Sequence, residues 1–353
     1  MSKIIILGDL HIGARLASTQ VMEHQLTYFE EQVFPYMKKH GISTILQLGD
    51  MFDTRKFSNH LVLYNWRKRF FHFMEDNGIS FVTILGNHDI FFKNTLEVNS
   101  TQLFLEQYSN ITIIDNPSVY DFDGVDFLLV PWICDANRDD VDEMVRGTTA
   151  PFCAGHFEFA GFEMHPGHVV EHGDDVAPYS EFDVVFSGHY HTKTTKGNIQ
   201  YVGTPYELTW IDYEDPKGFT VFDTKTHKQT YIKNDTALFT KIEYDDTDAD
   251  ADYYKTVDCS GAKNSYVKLI VTNKTDNFQF EKVVDRILAL SPLELKIIDE
   301  YTGFDAVELE DDIDSEDTTT LIENFMKQID TQLDRSKLTS SMKNLYVEAI
   351  NLL

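Results

Sequence analysis

Two imidazoles one residue apart, in Ser187-Gly188-His189-Tyr190-His191, are the first sign of chemistry in this chain. They follow a short apolar run, Val184-Val185-Phe186, that reads as a buried strand. Gly188 frees the backbone to turn there, and imidazole suits a borderline divalent cation. One His-x-His pair is weak evidence, since most such pairs are ordinary surface residues. Four further stretches change the reading: Gly8-Asp9-Leu10-His11, Gly49-Asp50-Met51-Phe52-Asp53, Gly86-Asn87-His88-Asp89 and Gly155-His156. Carboxylate oxygen, amide oxygen and imidazole nitrogen together suit two hard-to-borderline divalent cations. Asp50 is the candidate bridge, because two cations held roughly 3.5–4 Å apart need a shared carboxylate to offset their repulsion. One cation would take Asp9, His11 and His191; the other would take Asn87, His156 and His189. Such a pair polarises a phosphoryl group and activates water at neutral pH. His88 would not be a ligand but could donate a proton or hydrogen bond to the phosphate. Asp89 either orients His88 or caps its loop, and the sequence leaves both open.

These residues need elements to bring them together. Lys3-Ile4-Ile5-Ile6-Leu7, Thr44-Ile45-Leu46-Gln47-Leu48 and Ser80-Phe81-Val82-Thr83-Ile84-Leu85 read as buried strands, and each runs into one of the polar stretches. Helical spacing separates them: Met22, Leu26, Phe29 and Val33 between Ser18 and Met37, then Val62, Trp66, Phe70, Phe73 and Met74. Sites in open α/β sheets form at the carboxyl ends of strands. Gly-Asp is common turn chemistry, but three such turns at consecutive strand ends are hard to explain as turns alone. A further helix is predicted over Thr95 to Gln107, then short strands at Ile111 to Ile114 and Val125 to Val130, with antiparallel pairing suggested by Asp123-Gly124. Phe152-Cys153-Ala154 leads into Gly155-His156. His165, His168 and His172 fall in a Gly- and acid-rich loop and read as exposed loop histidines. Ile199 to Val202 and Gly218 to Phe222 read as strands completing a second sheet, with Gly203-Thr204-Pro205 a turn between them.

Composition shifts near Asp245, where an acidic segment reads as a loop. Beyond it, Tyr266 to Thr272, Asn277 to Leu290 and Leu293 to Ile298 form a small βαβ-like module. Glu308 to Asp317 is almost devoid of apolar groups and reads as a flexible acidic linker; it lacks the spacing of an EF-hand. Two apolar stripes follow, Leu321, Phe325, Ile329 and Leu333, then Leu338, Met342, Leu345, Tyr346 and Ala349. They predict tail helices that fold back or dock on another protein. The expected organisation is thus 1–240, 241–305, a linker over 306–317 and a helical segment over 318–353.

At 353 residues with 42% apolar side chains, the chain can bury a large core. No apolar run is long enough to span a membrane, and Met1-Ser2-Lys3 leads into a strand, not a signal peptide. Cys134, Cys153 and Cys259 are scattered and suggest no disulfide framework, so a cytoplasmic location is expected. A formal charge of −28 argues against nonspecific wrapping of nucleic acid by this chain alone.

The motif series Gly8-Asp9-x-His11, Gly49-Asp50-x-x-Asp53, Gly86-Asn87-His88-Asp89, Gly155-His156 and Gly188-His189-x-His191 resembles that of the calcineurin-like metallophosphoesterases. The resemblance implies an α/β fold, a four-layer αββα sandwich, with a dinuclear metal site between the sheets. Within that superfamily the chain looks most like the SbcD-type or meiotic-recombination-eleven nucleases, in the form carried by T-even-type bacteriophages. Pro131-Trp132 and Gly203-Thr204-Pro205 add to the likeness. It implies a small C-terminal capping domain, a helical tail binding an SbcC-type coiled-coil ABC ATPase, and a homodimer within a two-plus-two complex. It also implies DNA as substrate, with manganese the cofactor in preference to magnesium, in double-strand exonuclease and single-strand endonuclease reactions. Many cellular members carry a second catalytic histidine where this chain has Asp53. Two readings compete. A phosphatase or cyclic-nucleotide phosphodiesterase of the same fold would act on small phosphate esters; an inactive adaptor would only dock the ATPase.

Overall fold

The alternation of β1 (Lys3–Leu7) sets the layering. Ile4 and Ile6 enter one buried cluster and Ile5 and Leu7 another, as a strand buried on both faces requires. A computed structural model describes residues 3–165, 167–299 and Met342. After β1, α1 (Thr19–Tyr28) starts at Ser18, whose side chain accepts the Val21 amide, and runs through a π-helical turn, Phe29–Val33, into α2 (Phe34–His40). The helix stops at Gly41 with φ 64°. β2 (Thr44–Gln47) follows, then α3 (His60–Trp66), a second π-helical turn, Arg67–Phe71, and α4 (His72–Asp76). β3 (Ser80–Ile84), α5 (Ser100–Leu105) and β4 (Ile111–Ile114) complete this part. The two π turns meet: the Phe29 ring lies 4.6 Å from Phe70 and 5.9 Å from Trp66. Together with Phe71 and Met74 they form the core between the helices and the first sheet.

The second half begins with a hairpin, β5 (Ser118–Asp121) and β6 (Asp126–Val130), around the Asp123-Gly124 turn. Then come α6 (Arg138–Gly147), β7 (Phe152–Gly155), a small pair β8 (Glu163–His165) and β9 (His168–Val169), β10 (Val184–Ser187), β11 (Thr194–Lys196) and β12 (Ile199–Tyr201). β13 (Gly218–Asp223) and β14 (Gln229–Lys233) return to the first sheet. The sheets are ordered β14-β13-β1-β2-β3-β4 and β11-β12-β10-β7-β6-β5. Between them lie Ile4, Ile6, Leu46, Val82, Phe127, Phe152, Phe186 and Phe222. On the far side of the second sheet, Val141 and Val145 of α6 pack on Leu128, Val130, Cys153 and Val185. The result is the expected αββα sandwich.

A separate three-stranded parallel sheet, β15 (Phe239–Asp245), β16 (Tyr266–Asn273) and β17 (Glu294–Asp299), carries α7 (Asn277–Ala289) as its crossover, capped by Asp276. β15 straddles the expected 240/241 boundary and belongs whole to this module. The linker and tail helices expected over 306–353 lie outside the described residues, Met342 excepted. All three cysteines are buried and free. Among the described residues no helix is long and apolar enough to cross a membrane.

Three expectations change. Gly218 to Phe222 does not finish the second sheet: β13 pairs antiparallel with β1 in the first, covering an edge that would otherwise be open. The helix expected over Thr95 to Gln107 shortens to α5, because the Asn99 side chain accepts the Gln102 amide and starts it there, while Asn99 also bridges to Ile90. α6 was not expected; Val141, Met144 and Val145 are its whole apolar signal within an acidic stretch.

Candidate metal centre

The carboxyl ends of β1, β2 and β3 in one sheet, and of β7 and β10 in the other, converge on one pocket. Left-handed backbone at three non-glycine residues makes this possible: φ is 45° at His11, 50° at Asp50 and 80° at His189. Such conformations cost free energy and persist where surrounding structure fixes them. Gly86 is needed for close approach, since a Cβ there would fall onto the Asp50 amide and carboxylate.

All seven residues singled out as ligands come together. Ring nitrogens Nε2 of His11 and His191 are 3.1 Å apart, and Asp9 Oδ2 lies 3.9 Å and 4.0 Å from them. On the other side, His156 Nε2 is 2.9 Å from Asn87 Oδ1, and His189 Nδ1 is 3.1 Å from the same oxygen. Asp50 stands between the groups, its Oδ2 3.3 Å from His156 Nε2 and 3.9 Å from His11 Nε2. Asp9, His11 and His191 form one cluster of convergent donor atoms; Asp50, His156 and His189 form another. Their backbone contacts tie the clusters together. The His189 amide donates to both Asp9 oxygens and the His88 amide to Asp50 Oδ1 at 2.8 Å. Trp132, which follows β6, flanks His189 at 5.2 Å between ring centroids.

Tautomers follow from the outer partners. The Leu48 carbonyl, 2.7 Å away, accepts from His156 Nδ1, so Nε2 is the nitrogen that would be offered to a cation. His11 Nδ1 lies 3.2 Å from Asp53 Oδ1, which likewise turns its Nε2 toward the pocket. Electrostatics match a site built for cations. Burial disfavours charge on His11, yet Asp53, Asp50 and Asp9 lift it to about 10; His156 rises to about 9 against its burial, under Asp50 and Asp9. Burial opposes ionisation of Asp50 too, but His156, His88 and His11 hold it well below the usual carboxylate range. Asp9 is pushed up to about 6 by burial, and His189 down to about 3 by burial beside His156. The buried carboxylates that drive these shifts are the charge that divalent cations would balance. Buried oxygen and nitrogen lone pairs aimed at a common space fit two such cations.

His88 is half-buried, its Nδ1 donating to the Asp53 carbonyl at 2.6 Å, and its ring lies edge-on to His11 at 5.0 Å. Asp89 does not orient it. Its two oxygens accept the Phe52 and Gly86 amides at 3.1 Å and 2.8 Å, so it caps the loop. Sequence reasoning missed Asp53 as a neighbour of both histidines; its place three residues after Asp50 was the available signal. His172 is exposed, as expected of a loop histidine.

Comparison with known proteins agrees with this geometry. The profile of the family described as calcineurin-like phosphoesterases matches residues 2–193. Exonuclease subunit 1 of Enterobacteria phage T4 is 33% identical over 350 residues, 98% of this chain and 99% of that one. The protein named phosphoesterase 078R of Invertebrate iridescent virus 3 is 26% identical over 216 residues, 57% of this chain and 56% of its own length. Among solved structures, a Pseudomonas putida nuclease named MPE overlaps at a TM-score of 0.28 with 16% identity, over 64% of this chain and 87% of that one. A profile matched over more than half of the chain, a relative similar along nearly all of it, and donor atoms gathered from both sheets lead to one assignment: the chain belongs to the calcineurin-like phosphoesterase family.

Proposed function

We propose that this chain is a DNA nuclease that hydrolyses phosphodiester bonds, trimming duplex ends and cutting single strands during recombination and double-strand break repair. It works as the nuclease subunit beside an SbcC-type ABC ATPase, in a two-plus-two complex built on a homodimer. The observation that carries the reading is the pair of donor clusters joined at Asp50, which belongs to one and lies 3.9 Å from His11 of the other, in a chain similar along its length to a protein named as an exonuclease subunit. Asp9, His11 and His191 would hold one manganese ion and Asn87, His156 and His189 the other, with Asp50 shared. Two divalent cations so held supply Lewis acidity at the phosphate and lower the pKa of water.

The chain's own residues do the rest. His88, anchored through Nδ1 to the Asp53 carbonyl, has Nε2 free to place a proton at the phosphate or the departing oxygen. Asp53 Oδ1, 3.2 Å from His11 Nδ1, favours a proton on that nitrogen, on the side away from the pocket. Leu48 does the same for His156 through its carbonyl. The test is a nuclease assay on linear duplex and single-stranded DNA, with manganese against magnesium, with and without the ATPase. Manganese-dependent cleavage is expected, with duplex cleavage raised by ATPase and ATP. Hydrolysis of a small aryl phosphate monoester with no action on DNA would overturn the reading.

A further inference from the structure

His191, like His189, is only partly buried, unlike the carboxylates and the other two histidines of the pocket. Its side chain is 20% exposed, against 5% or less for Asp9, His11, Asp50 and His156. Core packing does less to fix this imidazole than those four side chains, and the backbone behind it is held in its place. What lies behind is its own carbonyl, which accepts two donors. The Thr204 amide donates at 3.1 Å, from the Gly203-Thr204-Pro205 turn. Lys217 Nζ donates at 2.9 Å. Gly203 closes the turn onto the loop: its φ is 73°, and a Cβ there would stand 2.9 Å from the His191 oxygen and 2.9 Å from the Lys193 amide.

Lys217 is an unusual side chain to find there. It is 4% exposed and pairs with Asp212 at 2.7 Å and Asp215 at 2.8 Å. Asp212 is itself fixed, accepting the Leu208 and Thr209 amides at 2.9 Å each. A buried ion pair is weak evidence for stability, because desolvation offsets much of the attraction. Three donors of an ammonium group spent on two carboxylates and one carbonyl oxygen define a position. The topology explains how the lysine reaches that place. β13 runs antiparallel to β1, so Lys217, just before β13, lies near the end of β1 that carries Asp9 and His11.

We infer that Lys217 and the Gly203-Thr204 turn clamp the His191 carbonyl, and that Lys217 is thereby a positioning residue for the cation held by Asp9, His11 and His191. The inference rests on the two-cation reading of the pocket. Lys217 touches neither cation nor substrate; it acts through the backbone of a ligand. Partners of this kind change metal affinity by roughly 10- to 100-fold when removed.

The experiment titrates the full chain with manganese alone, by calorimetry and by electron paramagnetic resonance of the coupled ion pair. The variant is Lys217→Met with Asp215→Asn, which leaves the buried charge at −1, as it is when Lys217 faces Asp212 and Asp215. Wild type should bind two ions. The variant should bind one with unchanged affinity and the second roughly 10- to 100-fold more weakly, with the coupled signal lost at matched manganese. If the double variant fails to fold, Lys217→Arg is read for the same split, since a planar guanidinium cannot copy the three-way contact of an ammonium group. Two ions at unchanged affinity in a folded variant, even one of lowered Tm, would overturn the clamp and leave the lysine a structural residue. Fewer than two ions in the wild type would overturn the two-cation reading and the clamp with it.

Discussion

Asp50 is the residue on which both donor clusters lean, and its position yields the sharpest test. Its Oδ2 faces His156 on one side and His11 on the other. Asp50→Ala should therefore abolish binding of both manganese ions, whereas His11→Ala should weaken mainly one; metal content after dialysis distinguishes them. Full dinuclear occupancy in the Asp50 variant would remove it as the bridge. His88 makes the opposite prediction. It belongs to neither cluster, so His88→Ala should keep two ions and DNA affinity while turnover falls by about 10²- to 10⁴-fold. Near-normal turnover at saturating DNA would take His88 out of the mechanism, and lost metal would make it a ligand. At this scale the candidate donors were legible, because their residue types stand beside glycines at strand ends, and the fold brings them together. The backbone that aims them was not: positive φ at His11, Asp50 and His189 comes from contacts between distant strands. Nor could spacing show that Asp89 faces amides while the carbonyl of Asp53 anchors His88.

Elements were read well where apolar periodicity is strong. The strands ending at Leu7, Gln47 and Ile84, and the aromatic-rich helices between them, all appear. The partner of β13 was not legible, because alternation tells which faces are buried but not which edge a strand joins. α6 escaped because three apolar residues, Val141, Met144 and Val145, are a thin stripe in an acidic stretch. A contact joining distant elements gives the prediction at this scale. Glu207 accepts the Leu238 and Phe239 amides at 2.6 Å and 2.9 Å, and so ties the segment after Gly203-Thr204-Pro205 to the start of β15. Burial pushes its carboxyl from 4.5 up to about 7. The folded chain therefore keeps a proton that the unfolded chain gives up above 4.5. That contribution is full below pH 4.5 and is lost as pH rises through about 7. Glu207→Gln cannot titrate and retains an oxygen acceptor. Urea unfolding from pH 4.5 to 8 should show wild-type stability falling relative to the variant across that window. A pH-independent difference would mean that Glu207 is ionised in the fold throughout.

Assembly is argued at the scale of the whole molecule. Trp66, Phe70 and Phe71 are fully buried on the chain's own core and offer no surface to a dimer. Phe73 is 36% exposed and stacks on Phe34. The apolar groups these helices leave open are Leu61, Tyr64 and Leu103, at 55%, 61% and 67% exposure. A homodimer through this surface should appear by sedimentation at micromolar concentration and should be lost in Leu61→Glu/Leu103→Glu. A wild-type monomer would count against it.

The tail poses the same question for a different partner. Leu338, Met342, Leu345, Tyr346 and Ala349 recur at three- and four-residue spacing, and Leu321, Phe325, Ile329 and Leu333 do so before them. Short amphipathic helices need a surface to stabilise them. Glu308 to Asp317 is too acidic and too poor in apolar groups to supply one. All seven candidate donors lie at or before His191 and are assembled within the compact unit Met1–Gly303. Cleavage chemistry therefore asks nothing of the tail, whereas a chain of net charge −28 needs help to hold DNA. Deleting everything after Asp317 should leave manganese-dependent cutting of short single strands nearly intact. It should abolish co-purification with the ATPase and the ATP-dependent gain on duplex ends. A truncated chain that still binds the ATPase at full strength would move docking to another surface. One that loses its manganese or unfolds would make the tail part of the body it follows.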